Sequence, residues 1–293
     1  MIDLHTHTKY SDGTDEVIEL LKEAEKIGLK VISITDHNTA KAYEELEKLD
    51  INNYYSGKII PGIELNTKVL GIPIEVLGYG IDYKKMNELL PTIYLPFEDR
   101  NRIEAERLYE KCLLTGIKLE EGCLKNYDAT YFASKFIMNE IHKFEQNKSI
   151  IDNEAWGELR VFYRKYMSNP NMPLYINTDD LVPNFEIVSN LIRECGGLVF
   201  VPHIFEYREN SYKILEHIIN NYDVDGFECF YTTFTKEQTD EICKICKEHK
   251  LYISGGSDYH GKTKVNVSLG IGHGNLRVKC DEIADWKDKV RYF

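Results

Sequence analysis

Met1-Ile-Asp-Leu-His-Thr-His-Thr-Lys-Tyr-Ser-Asp-Gly13 is the stretch from which the rest of the chain is read. Apolar Ile2 and Leu4 alternate with Asp3 and His5, the period of a half-buried strand. His5 and His7 close that strand. Residues two apart on extended backbone point the same way, so both imidazoles can face one spot. Asp12 follows in a Ser-Asp-Gly turn. Imidazole and carboxylate are the usual ligands of Zn, Mn and Fe, which makes this a plausible start for a metal site. Taken alone, the same letters fit a chance His-x-His in a loop.

Outward from there the chain alternates strands and helices. Thr14-Asp15 can cap a helix whose apolar positions Val17, Leu20, Leu21, Ala24 and Ile27 keep helical spacing up to Gly28. Lys30 to His37 is a β-branched strand ending in Asp-His, and a polar helix spans about Lys41 to Leu49. Lys58 to Glu64 is a third strand with Glu64 at its end. Lys68 to Tyr79 reads as a hairpin about Gly71-Ile72-Pro73. From about Pro96 the composition turns helical, polar and rich in Tyr, Asn and Lys. Residues 96–184 are therefore expected to form an inserted helical subdomain, with residues 1–95 and 185–293 as the main domain. The α/β rhythm resumes in strands ending near His203, Phe230 and Ser254, separated by helices Ser211–Asn221 and Lys236–His249. Asp258 and His260 follow the last strand. Five of the nine histidines thus stand just after strands, where parallel α/β barrels gather their functional groups.

A net charge of -12 argues against an extended nucleic-acid or anionic-membrane surface, although bound cations can turn an acidic pocket positive. No apolar run reaches membrane-spanning length, and Met1 leads straight into the polar motif rather than a signal peptide. The seven cysteines follow no disulfide framework and read as reduced thiols in the cytoplasm. Cys243 and Cys246 sit within a helical pattern and read as helix residues, at least one facing the core.

His5-Thr-His-Thr8, Ser11-Asp-Gly13, Thr35-Asp-His37, Pro61-Gly-Ile-Glu64, Pro202-His203 and Ser257-Asp-Tyr-His260, in this order, resemble the PHP (polymerase and histidinol phosphatase) family. The resemblance covers about residues 1–80 and 196–275. It implies an α/β fold, a distorted seven-stranded (β/α)7 barrel with an inserted helical subdomain. It also implies two or three divalent metals, Mn, Fe or Zn. By position, His5, His7, Glu64 and Asp258 would hold one. Glu64 and His203 would hold a second, and Asp12, His37 and His260 a third. Similar proteins carry a histidine in the hairpin where this chain has Glu75, which makes the second site richer in oxygen.

The implied activity is hydrolysis of a small phosphate ester, of the nucleotide or 3′,5′-bisphosphonucleotide type, by in-line attack of a metal-bound hydroxide. The leaving-group proton could come from a metal-bound water or a histidine. Two alternatives stay open: a histidinol-phosphate-type phosphatase, and an inactive metal-stabilised binding module. Arg100 and Arg102 of the insert and Arg208 after His203 are candidates for binding phosphate, against the plain reading of solvated surface. Lys262 and Lys264 read as surface residues. Glu228 ends a strand and reads equally as a partner of a metal ligand or as a structural carboxylate at the rim. Nothing in the sequence sets the oligomeric state.

Overall fold

The computed structural model describes residues 1–178 and 180–293. Strand β1 (Ile2–Asp3) leads to helix α1 (Val17–Lys26), β2 (Val31–Ile32), α2 (Lys41–Leu46), β3 (Lys58–Ile59), β4 (Gly62–Val69), β5 (Ile72–Tyr79) and α3 (Tyr83–Ile93). Helix α1 forms because Val17, Leu20, Leu21 and Ala24 make one apolar stripe, and all four are buried. Its cap lies at Glu16, whose backbone N–H donates to the Glu19 carboxylate at 3.0 Å. The expected cap, Thr14-Asp15, is engaged elsewhere. Thr14 Oγ1 accepts from the Lys262 backbone N–H at 2.8 Å, and Asp15 accepts from the Tyr259 hydroxyl at 2.7 Å.

Contacts divide the chain into two compact units, Met1–Leu90 with Pro183–Phe293, and Pro91–Val182. The second unit contains α4 (Phe97–Leu114), α5 (Ala133–His142), α6 (Asn153–Gly157) and α7 (Leu159–Phe162). It has its own apolar core, in which Leu108, Ile137, Ala155 and Phe162 are buried together. Helix α4 is charged outside but buries Asn101, Ala105, Leu108 and Cys112. Buried Asn101 is satisfied by donating to the Ala129 carbonyl at 3.1 Å.

The first unit resumes with α8 (Phe185–Glu194), β6 (Leu198–Val201), α9 (Ser211–Asn221), β7 (Gly226–Tyr231), α10 (Lys236–His249) and β8 (Tyr252–Gly256). The Asn184 side chain caps α8 by accepting from Ile187 N–H at 3.0 Å. Strands β6, β7 and β8 are parallel neighbours, and α9 and α10 supply the crossovers that parallel pairing requires.

The strands do not close into the single seven-stranded barrel expected. The described residues form a parallel three-stranded sheet, β1-β2-β3, and a mixed five-stranded sheet, β4-β5-β6-β7-β8. The ladder β1-β2-β3 stops after two residues per strand, and a side chain replaces it where β2 and β4 diverge. The Tyr43 hydroxyl donates to the Ile34 carbonyl at 2.7 Å and accepts from Gly62 N–H at 2.8 Å. Backbone groups freed from the ladder are thereby paired. Beyond that point single bridges join the edges of the sheets, His37 with Glu64 and Thr6 with Tyr259.

Two expectations shift here. The strand expected over Lys58–Glu64 breaks at Ile60-Pro61, so Glu64 lies within β4 rather than at a strand end. The hairpin turns at Leu70-Gly71, with φ of 54° and 74°, instead of about Gly71-Ile72-Pro73. Two consecutive positive φ values suit the right-handed twist of a two-residue hairpin.

A core of Ile2, Leu4, Val31, Ile60, Phe200 and Trp286 packs at the starts of the parallel strands. The Trp286 indole N–H donates to the Ile253 carbonyl at 2.8 Å. The candidate functional groups follow the opposite ends of the same strands.

Candidate metal centre

Register places the first carboxylates. Glu64 pairs with Leu77 and Asn66 with Glu75, so Glu64 and Glu75 share one face of the β4-β5 hairpin, two residues apart in register. Beyond β1, His5 and His7 reach the same place, and both are fully buried. His203 follows β6, and Asp258 and His260 follow β8. His203 and Asp258 adopt left-handed backbone, φ of 30° and 56°. Non-glycine residues rarely take this conformation, and where they do a functional constraint is a common cause.

Four atoms meet at the centre. Glu64 Oε2 lies 3.2 Å from His5 Nε2 and 3.2 Å from His7 Nε2. Asp258 Oδ1 lies 3.5 Å from His5 Nε2 and 3.3 Å from His7 Nε2. Ligands about 2.1 Å from one tetrahedral ion sit ~3.4 Å apart. His7 Nε2 is buried without an aligned hydrogen bond despite these two carboxylate neighbours, as is His37 Nδ1 at 3.3 Å from Glu64 Oε2, and His203 Nδ1 is buried without a hydrogen bond. His7 Nε2 and His37 Nδ1, this close to a carboxylate but not aligned for hydrogen bonding, have the arrangement of lone pairs aimed at a shared cation. The residues present therefore fit a divalent metal.

The remaining candidates surround this set. His203 Nε2 is 3.1 Å from Glu64 Oε1 and 3.4 Å from Glu75 Oε2. One donor atom each of His37, Glu64 and Glu75 falls within 4.8 Å of the others, and so does one each of His7, Asp12, His37 and His260. His260 Nε2 is 3.1 Å from Asp12 Oδ1, and His37 Nε2 is 3.8 Å from Asp12 Oδ2.

Buried partners orient the rings. His5 Nδ1 lies 3.0 Å from Glu228 Oε1, which presents Nε2 to the centre. The other oxygen of Glu228 accepts the His203 backbone N–H at 3.0 Å. His260 Nδ1 lies 2.8 Å from the Asp258 carbonyl, which leaves Nε2 for Asp12. Asp36 accepts from the backbone and hydroxyl of Thr8, each at 2.7 Å, and from Ser11 Oγ at 2.6 Å, fixing the loop that carries Asp12.

Charge balance follows the same geometry. Burial of Glu64 favours its neutral form, but His5 and His37 hold it well below the usual carboxylate range. Burial likewise opposes ionisation of Asp258, and His5 and Lys264 outweigh it. Burial disfavours the charged form of His7, yet the Glu64 and Asp258 carboxylates push it up to about 9. His260 is held below the ordinary imidazole value by burial and by the neighbouring His7 charge.

The structure brings His5, His7, Asp12, His37, Glu64, Glu75, His203, Asp258 and His260 together. Arg208 is exposed on the segment after His203, with φ of 53°. Arg100 pairs with Glu104 at 3.3 Å within the second unit, and Arg102 is exposed. Lys264, expected at the surface, keeps a side chain 38% exposed, yet its ammonium reaches in to pair with Asp258 Oδ2, which also accepts the Tyr231 hydroxyl at 2.7 Å. Tyr231 carried a findable signal, since it follows Glu228 at the end of the same strand. Lys264 had none, because a short 3-10 turn carries it back to the centre.

Comparison with known proteins agrees with this reading. The family profile described as PHP domain matches residues 3–155, just over half of the chain. A 5′-3′ exoribonuclease of Haemophilus influenzae is 24% identical over 88% of this chain and 89% of its own length. A 3′,5′-nucleoside bisphosphate phosphatase of Chromobacterium violaceum is 23% identical over 92% and 90%. An amidohydrolase structure from Chromobacterium violaceum, with bound sulfate and no metal, superposes with a TM-score of 0.68 at 19% identity, covering 98% of this chain and 95% of that one. This chain belongs to the PHP family. It is a phosphoesterase of the PHP type, a hydrolase acting on phosphoric ester bonds.

Proposed function

We propose that this chain removes phosphate from a small ester of the nucleotide or 3′,5′-bisphosphonucleotide type, using two or three divalent ions of Mn, Fe or Zn. The observation that carries the reading is the set His5 Nε2, His7 Nε2, Glu64 Oε2 and Asp258 Oδ1 at the spacing of one ion's ligands. These four residues hold the first metal. Glu64, Glu75 and His203 hold the second, and Asp12, His37 and His260 the third. Bound there, the metals lower the pKa of water and neutralise the phosphate oxygens. The protein's own part is positional. Glu228 fixes His5 and His203, Asp36 fixes the Asp12 loop, and Lys264 offsets the charge of Asp258. Arg208 shares its unit with the centre and is proposed to meet the phosphate. Arg100 and Arg102 are proposed to act in substrate recognition, with residues 96–184 as the specificity-bearing insertion. All seven cysteines are free, which supports a cytoplasmic location. No helix among the described residues is long and apolar enough to cross a membrane.

A second reading, release of mononucleotides from the 5′ end of RNA, is favoured by the Haemophilus influenzae relative. The net charge of -12 weighs against an extended RNA track. The test is one screen of metal-loaded protein on a nucleoside 3′,5′-bisphosphate, a 5′-mononucleotide, histidinol phosphate and a 5′-phosphorylated oligoribonucleotide. Inorganic phosphate from the bisphosphate, abolished by chelator, is the expected result. Faster mononucleotide release from the oligoribonucleotide establishes the second reading, and turnover of histidinol phosphate alone overturns both.

A further inference from the structure

The two oxygens of Asp258 have different neighbours. Oδ1 lies 3.5 Å from His5 Nε2 and 3.3 Å from His7 Nε2, among the candidate metal ligands. Oδ2 accepts from the Tyr231 hydroxyl at 2.7 Å and pairs with the Lys264 ammonium. Tyr231 is buried at the end of β7, so it already anchors that oxygen. Holding Asp258 in place therefore does not require a lysine. The Lys264 side chain is 38% exposed, against 8% for Asp258. An ammonium carries three N–H donors. Among the described residues Asp258 is its one hydrogen-bond partner, which leaves two donors for a group arriving from solvent.

The turn that carries Lys264, Gly261–Lys264, is tied to the loop bearing Asp12. The Lys262 backbone N–H donates to Thr14 Oγ1 at 2.8 Å, and Thr263 Oγ1 donates to the Asp12 carbonyl at 3.1 Å. Lys264 thus starts beside one group of candidate ligands, and its tip reaches another.

We propose that Lys264 binds a non-bridging oxygen of the substrate phosphate and biases the centre toward phosphate monoesters over diesters. This rests on the metal-dependent phosphoesterase reading of the same centre. A monoester dianion has one more non-bridging oxygen and one more negative charge than a diester. Metals clamp phosphate oxygens when bound. A further cation at the exposed rim then adds most to the substrate with the additional oxygen and charge. Lysine suits that place as a compact point charge on a flexible stem. Beside the Asp258 carboxylate it stays charged at neutral pH.

The test compares metal-loaded wild type with Lys264→Met and Lys264→Arg. Calorimetry measures the binding of inorganic phosphate, and metal analysis measures occupancy. Rates are taken on p-nitrophenyl phosphate and bis(p-nitrophenyl) phosphate. Lys264→Met is expected to keep the wild-type metal-to-protein ratio and to bind phosphate more weakly by about tenfold or more. Its kcat/KM should fall by a similar factor on the monoester and by less on the diester. Lys264→Arg should recover part of the phosphate affinity. A wild-type phosphate affinity in Lys264→Met overturns the proposal. So does loss of bound metal, which makes Lys264 a partner of Asp258 alone, and so does an equal fall on both esters. Phosphate binding is read without turnover. If the wild type hydrolyses neither ester, the proposed function fails, and the phosphate affinities alone decide the role of Lys264.

Discussion

Replacing Glu75 with alanine is expected to remove one metal per chain and most of the activity. Its carboxylate lies 3.4 Å from His203 Nε2 and shares a 4.8 Å cluster with Glu64 and His37. Metal analysis of wild type and Glu75→Ala side by side decides the matter, and an unchanged metal-to-protein ratio would falsify the ligand role. Glu228 touches no candidate metal position yet orients two that do. Glu228→Gln keeps the shape but loses the charge beside His5, so metal affinity should fall by roughly 10–100-fold. A competitive chelator titration measures this, and an affinity equal to wild type would show that His5 needs no such partner. Much of this scale was legible in the sequence. The spacing of His5 and His7 lets both rings face one spot, which they reach beyond the end of β1, and Asp258 and His260 follow a recognisable strand. The pairing of Lys264 with Asp258 was not legible, since nothing in Gly261-Lys-Thr-Lys264 distinguishes a lysine that reaches a buried carboxylate from one that does not.

At the scale of elements, Tyr43 takes over where the ladder between the short strands ends. Tyr43→Phe leaves the Ile34 carbonyl and the Gly62 N–H without that partner in a buried place. Loss of about 1–3 kcal/mol is expected in urea unfolding, and a variant as stable as wild type would mean that the backbone re-pairs on its own. Gly256 makes a complementary test. A Cβ there would lie 2.4 Å from the His5 backbone nitrogen and 2.5 Å from the His5 Cβ. Gly256→Ala should therefore displace His5 and weaken metal binding at a stability cost of about 1–3 kcal/mol, with titration calorimetry as the measure. The order of helices and strands could be read from the sequence, and α9 and α10 fall over the residues expected, Ser211–Asn221 and Lys236–His249. The ends of strands could not. Whether β2 continues past Ile32 depends on a tyrosine from another element, and local pattern carries no trace of that contact.

For the whole molecule, metal binding and folding should be linked in the first unit. A ligand at 100 times its dissociation constant stabilises the native state by about 2.7 kcal/mol. Treatment with a chelator should lower the melting temperature and raise hydrogen exchange across residues 1–90 and 183–293. The second unit, with its separate core, should keep its protection. Equal loss of protection in both units would show that they unfold as one. The two-sheet arrangement was the least legible feature at this scale, because the edges meet through single bridges that no periodicity announces.

Asp3 accepts hydrogen bonds from the backbone and hydroxyl of Ser257, at 2.9 and 2.6 Å, and from Gly270 N–H at 2.7 Å. Those partners leave the ribosome long after it does. Ser257 trails Asp3 by 254 residues, so at ~5–20 residues per second the first strand waits roughly 13–50 s for its neighbour. Throughout that time His5 and His7 are on a nascent chain that lacks Asp258 and His260. The growing polypeptide can offer only a partial set of donors to passing ions, and the choice of metal falls to the finished chain, in whatever compartment and ion supply it meets at release.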